Sequence, residues 1–178
     1  TEWANVKERL IVCPGRIEPR KNQVSVAKAF LSDRRLDDYS LIFAGSIAPK
    51  HSKYLNEIRS LGSERIIFAG HLDRPALNAV FLRARACVLA SFFETTGLVG
   101  LEAMAFGCSV AMTNHSYNDE YYGNTASYCD PFNISGIADA MFAATVANSR
   151  HAGMPEAAWL RTGDFSWASA ARATMTAY

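Results

Sequence analysis

Two glutamates eight residues apart, Glu94 and Glu102, flank a glycine-bearing turn in the stretch FFETTGLVGLEAMAFG, residues 92–107. The turn at Gly97 runs into a helical pattern whose first residues, Leu98 and Val99, offer backbone amides that have no partner within the helix. A helix start of this kind attracts anions, so carboxylates on either side of it would repel the ligand that the amides favour. The conflict is resolved if the amides grip phosphate while the carboxylates accept hydrogen bonds from hydroxyl groups on opposite sides of it. A plainer alternative is a turn permitted by Gly97 and a helix capped by Thr95 or Thr96. Glu102 resists that alternative, because a carboxylate among Leu98, Val99, Leu101 and Met104 needs a polar partner if it is buried.

A second stretch, GRIEPRKNQ, places Arg16, Arg20 and Lys21 within residues 15–23. Arginine offers a planar fork of donors and lysine a mobile point charge, which together suit a pair of phosphates. Alone, the stretch reads as a solvated basic loop in front of a helix. Taken with the first, it points to a ligand with sugar, diphosphate and ribose in line, a nucleotide sugar. The diphosphate would rest on Arg16, Lys21 and the amides around Gly97, Leu98 and Val99.

These residues need a scaffold that brings distant loops together, and short β-type runs alternate with helical patterns along most of the chain. RLIVCPG, YSLIFAG, RIIFAG, ACVLAS, SVAMTN and ASYCD read as six strands. Between them, helical patterns run through NQVSVAKAFLSD, HSKYLNEIRSLG, RPALNAVFLRA and LVGLEAMAFG, and ISGIADAMFAATVAN follows the last strand. Asn22 stands at the cap of the first helix with Val26, Phe30 and Leu31 inward, the second ends at Gly62, and Pro75 occupies the first turn of the third. Strands apolar throughout imply a sheet covered on both faces, hence parallel. The alternation predicts a doubly wound, Rossmann-like α/β domain over residues 1–178. Ligands of such folds bind outside the carboxyl ends of the strands, and glycine stands at three of the first four strand exits, where backbone can approach a ligand. The stretch NHSYNDEYYGNT reads as one long polar connection.

Composition sets the outer bounds. With 49% hydrophobic and 20% charged residues, the 178-residue chain can bury a sizeable core. Its net charge of +1 gives no general case for nucleic-acid binding. No apolar run reaches the roughly 20 residues of a membrane span, and TEWANVKERL lacks the apolar core of a signal peptide. The four cysteines, Cys13, Cys87, Cys108 and Cys129, have no CxxC spacing and read as reduced packing residues of a cytoplasmic protein. His51, His115 and His151 lack HxH or HExxH spacing, and no D-x-D pair is present, so no metal or other cofactor is expected.

GRIEPRKNQ, IIFAGHLDRPALNAVFLRARACVLAS, ETTGLVGLEAMAFGCSV and the terminal FSWASAARATMTAY together resemble the retaining glycosyltransferases of family 4, the "glycosyl transferases group 1" domain of the GT-B fold. The resemblance runs colinearly over nearly the whole chain and includes the E-x7-E spacing. It implies that Glu94 contacts the donor sugar hydroxyls near C3 and C4, and that Glu102 holds the nucleotide ribose. It assigns Arg16 and Lys21 to the departing diphosphate, which with Glu94 makes the expected catalytic group. The backbone at Gly97, Leu98 and Val99 would bind phosphate, and that at His71 and Leu72 would meet the base. Thr95 and Thr96 depart from the family, which usually has Gly or Pro and then an aromatic or similar residue there.

The resemblance also implies that this is the donor-binding half alone. An N-terminal acceptor-binding half, which supplies a catalytic-site histidine or aspartate in many members, would complete the cleft. Residues 155–178 would then form a helical segment packing back on that half, with Trp159, Trp167 and Tyr178 as packing residues, and peripheral membrane association of the full enzyme stays open. The isolated domain is expected to bind a nucleotide-sugar donor without turnover. Two other readings compete: a nucleotide or nucleotide-sugar binding module, and a dinucleotide-dependent dehydrogenase. The second is disfavoured because IVCPGRIEPR lacks G-x-G-x-x-G.

Overall fold

Six short apolar runs become the parallel strands β1 (Leu10–Pro14), β2 (Ser40–Ala44), β3 (Ile66–Gly70), β4 (Ala84–Leu89), β5 (Ser109–Thr113) and β6 (Ala126–Cys129). The computed structural model describes residues 9–94, 97–147, 162–163 and 165–177. Thr95, Thr96, His151, Trp159, Tyr178 and the side chain of Trp167 lie outside the described residues. The strands line up in the order β3-β2-β1-β4-β5-β6. The chain therefore builds outward from β1 in one direction, returns to its other side at β4, and builds outward again.

Alternation along the strands sorts the core into two layers. Ile11 and Cys13 of β1, Leu41 and Phe43 of β2 and Ala86 and Val88 of β4 face one layer, shared with helices α1 (Gln23–Ser32), α2 (Ser52–Arg59) and α6 (Ile134–Ala147). Leu10, Val12, Cys87 and Leu89 face the other, against α3 (Arg74–Arg83) and α4 (Leu98–Ala105). Small side chains on the first face, Ala86, Ala90 and Ala111, are fully buried and let α1 and α6 lie close to the sheet. The sheet is not covered evenly. All five residues of β3 and three of the four in β6 are only half-buried, because each edge strand has a neighbouring strand on one side only. Leu31 is likewise half-buried and packs at the margin of the core.

The stretch at residues 114–125 is not a loop. It forms helix α5 (Ser116–Tyr122) and a 3-10 turn (Gly123–Thr125). Its inward residues Asn118 and Tyr122, both fully buried and one helical turn apart, are polar-capable rather than aliphatic, which hides the helical period in the sequence. Asn118 donates to Thr113 O at 2.7 Å, and the Tyr122 hydroxyl donates to Gly97 O, so this helix supports the start of α4. A further helix, α7 (Trp167–Ala177), carries exposed side chains along most of its described length, with Met175 80% exposed.

All four cysteines are free and buried. Burial pushes the thiols of Cys13 and Cys129 up to about 12, and that of Cys87 well above its ordinary value. Asn22 stands at the expected cap position but caps nothing with its side chain. It adopts the left-handed conformation at φ 58°, and its amide donates to Ala90 O at 3.0 Å and Pro131 O at 2.8 Å. One buried side chain thus ties the carboxyl ends of β4 and β6 to the start of α1. Asn22→Ala should lose about 2–4 kcal/mol of stability, from two orphaned carbonyls plus left-handed strain. Asn22→Gly should lose about 1 kcal/mol less, the strain alone being relieved, and urea unfolding of the pair checks both.

Candidate functional site

The strand order reverses between β1 and β4, and the carboxyl ends beside such a reversal are where doubly wound sheets bind ligands. One wall of the candidate site is the loop following β1. Gly15 N donates to Ala44 O at 2.9 Å, Ile17 pairs with Ile47 in an isolated bridge, and a 3-10 turn spans Pro19–Lys21. Gln23, fully buried, donates to Arg16 O at 2.8 Å and accepts from Glu18 N at 3.4 Å, so the loop is anchored from beneath. Glycine at the next strand exit serves packing here. A Cβ on Gly45 would stand 1.9 Å from Gly15 O, so that close approach is to the protein's own backbone and fixes the β1 and β2 exits together.

The second wall follows β4. Its Glu94 accepts an ion-pair hydrogen bond from Lys21 Nζ, and the two side chains are only 11% and 13% exposed. Gly97 then caps α4 in the left-handed conformation at φ 59°, a geometry costly for other residues, and places the Leu98 and Val99 amides in the first helical turn. Glu102, one turn further into α4, pairs with Arg74 Nη1 at 2.6 Å. That answers what partners a carboxylate in an apolar helix: an arginine at the start of α3. The guanidinium's basicity is raised by this hydrogen bond. Asp73 caps α3 by accepting from Ala76 N at 2.9 Å. In the same connection, His71 is exposed while Leu72 packs against the layer under α3 and α4.

The structure thus brings Lys21 and Glu94 together, while Arg16, on the same loop as Lys21, is 68% exposed and 3.8 Å from Glu18. Glu102 takes its partner from the start of α3, so each carboxylate is met by a separate cation. Three participants were missed or left without a role at the sequence level. Glu18 and Arg20 lie inside GRIEPRKNQ, where acids and bases two apart look like surface alternation, and Arg74 looks like an ordinary helix-start residue. Arg20 donates twice to Glu18, at 3.2 and 2.9 Å. Burial pushes the Glu18 carboxyl up, but the Arg20 hydrogen bond and the charges of Arg16, Arg20 and Lys21 outweigh it and hold the group below the usual range. Other expected non-participants keep to the margin: His115 Nε2 lies 3.1 Å from Phe92 O, and His51 is half-exposed.

The family model "Glycosyl transferases group 1" matches residues 2–151. The chain belongs to that family. It is 37% identical over 116 residues to the glycogen synthase of Mycobacterium tuberculosis (strain H37Rv), covering 62% of this chain and 28% of that protein. It is 26% identical over 172 residues to the serotype-specific mannosyltransferase WbdA of Escherichia coli, covering 94% of this chain and 21% of that one. The chain therefore spans between a fifth and three tenths of these relatives' length. In fold it is similar to the catalytic domain of cholesterol-alpha-glucosyltransferase from Helicobacter pylori, with a TM-score of 0.75 at 18% identity over 90% of this chain and 100% of that one. The six-stranded parallel sheet with flanking helices is thus the Rossmann-like architecture of GT-B C-terminal domains.

A carboxyl held low by the folded state stabilises that state above its unfolded pKa and loses the contribution as pH falls through the folded value. Glu18→Gln should therefore lower stability at pH 7 by about 1–2 kcal/mol, moderated because Arg20 is more than a third exposed. The gap to the parent should close as pH falls below about 4.3, the ordinary glutamate value. Thermal unfolding of both proteins across pH 3–7 checks the convergence.

Proposed function

We propose that this chain is the donor-binding part of a retaining glycosyltransferase of family 4, which takes a sugar from a nucleotide diphosphate and passes it to a glycan, lipid or small acceptor. The observation that carries the reading is the Lys21–Glu94 pair, which spans the two loops at the strand-order reversal. A lysine ammonium has three donors, so Lys21 can hold Glu94 and still present N–H groups to a phosphate. Arg16, exposed and outward, turns onto the same diphosphate. The Gly97, Leu98 and Val99 backbone takes a phosphate oxygen. Glu94 accepts from the donor sugar's hydroxyls and Glu102 from the ribose, with the base against the backbone of His71 and Leu72.

In this reading Arg16 and Lys21 stabilise the leaving diphosphate in the role a cation often plays, so transfer proceeds without a metal. The protein's contribution is placement and charge stabilisation, with attack on the face the diphosphate leaves. Residues 1–178 form one donor domain, and the exposed α7 packs against an acceptor-binding domain that completes the cleft. Turnover requires that domain, so the 178-residue chain by itself acts as a nucleotide-sugar binding module. The four free, buried cysteines support a cytoplasmic setting. Among the described residues, no helix is long and apolar enough to cross a membrane.

The two glutamates are separable by titration. Glu102→Gln should weaken a nucleoside diphosphate and its sugar conjugate alike. Glu94→Gln should leave the free diphosphate nearly unchanged while the conjugate loses about 1–3 kcal/mol. Calorimetry of both variants against UDP, GDP and ADP and their hexose conjugates measures all the cells, and equal losses throughout would make both residues structural. In the same titrations, EDTA should leave diphosphate affinity intact. A strict requirement for magnesium or manganese would overturn the assignment of Arg16 and Lys21 to the leaving group.

A further inference from the structure

Arg20 is tied to the second wall more extensively than Lys21, although Lys21 makes the ion pair. Its carbonyl accepts from Phe92 N at 2.9 Å. Its Nη1 donates to Phe93 O at 2.9 Å and lies 3.9 Å from Glu94 Oε1. The other edge of the guanidinium, Nε and Nη2, is fixed on Glu18 Oε1. Glu18 is in turn anchored through its backbone N–H to the buried Gln23. One residue thus meets three successive residues, Phe92 through its backbone and Phe93 and Glu94 through its side chain, and that side chain is braced from behind.

The segment is also held by its rings, Phe92 packing on Phe132 with centroids 5.0 Å apart. The rings of Phe92 and Phe93 are 38% and 55% exposed, so burial contributes only part of what a core aromatic would. The His115 contact to Phe92 O reaches the segment at its far end from Glu94. Lys21 thus holds the Glu94 carboxylate directly, while the guanidinium of Arg20 braces the backbone on which that carboxylate stands.

We propose that Arg20 is a positioning residue for donor-sugar recognition: it braces the backbone that carries Glu94 while Lys21 holds the carboxylate, and it does not itself grip the ligand. The inference rests on the reading of Glu94 as the acceptor of sugar hydroxyls. A lysine at this position would keep the positive charge but lose the fork, since one ammonium cannot serve Glu18 and Phe93 O in the same plane. A residue acting by charge on the phosphates would tolerate Arg20→Lys. A residue acting by placement would not.

A double-mutant cycle decides between them. The probes are whichever of UDP, GDP and ADP most raises the melting midpoint of the 178-residue chain, and that nucleotide's hexose conjugate. Arg20→Lys should weaken the conjugate about five- to thirtyfold, the fold-change of about 1–2 kcal/mol, and the free diphosphate by no more than about twofold. In the Glu94→Gln background the same change should cost the conjugate no more than about twofold, because the carboxylate it positions is gone. If Arg20→Lys proves unstable, Glu18→Gln, which loosens the same guanidinium from the other side, should show the same selective loss. A Glu94→Gln variant that is itself weakened for the conjugate, yet leaves the Arg20→Lys loss undiminished, overturns the positioning role alone. A Glu94→Gln variant that binds the conjugate as the parent does overturns the reading of Glu94, and this inference with it.

Discussion

An ammonium and a carboxylate that are each almost entirely removed from water can coexist only if the protein holds both in place, because desolvation would otherwise outweigh their attraction. Lys21 and Glu94 meet that condition from two loops separated by more than seventy residues of sequence. The parallel sheet makes the meeting unavoidable. With β1 and β4 adjacent, their exits open side by side, and whatever follows them must face across the same gap. The small residues of β4 and β5, the Gly45–Gly15 contact and the Asn22 tie between strand ends then remove the slack that would let the pair drift apart.

Around this pair the charges are arranged in series rather than heaped together. Arg16, Arg20 and Lys21 supply three cations, and Glu18 and Glu94 two carboxylates, so the cluster carries only a slight positive excess. A loop with three unpaired cations would repel itself and bind anions indiscriminately. Interleaving the acids fixes each cation's direction instead. Arg20 is turned sideways along the wall, Lys21 inward, and Arg16 outward toward solvent. The Arg74–Glu102 pair repeats the device on α4, with the start of α3 providing the cation.

Much of this was legible in the residues, and for a clear reason. Strands such as LIVCP and SLIFA are buried on both sides and need nothing but apolar character to be recognised. Positions such as Gly97, Glu94 and Glu102 stand out because their chemistry conflicts with their surroundings. The features that escaped notice involve residues whose chemistry agrees with theirs. Tyr122 and Asn118 form the inner face of α5 yet look like polar loop. Glu18 and Arg20 look like solvated neighbours, though Glu18 is well shielded and Arg20 reaches across to Phe93. Asn22 looks like a cap, and its amide is spent on strand ends instead. Pattern locates a residue on an element, but only the packed chain determines which distant carbonyl lies within reach of its side chain.

The buried thiols bear on how the domain can be observed. Cys13 lies on β1 facing one layer, Cys87 on β4 facing the other, and Cys129 at the end of β6, so three thiols sample both sides of the sheet and one of its edges. Each is held in the protonated form by its surroundings. Alkylating reagents attack the thiolate, so labelling at these positions must wait for the surrounding structure to open. The cysteines therefore act as built-in reporters of sub-global opening. A ligand that clamps the β1 and β4 loops would slow Cys13 and Cys87 together, while Cys129 would report whether the far edge opens independently of the site.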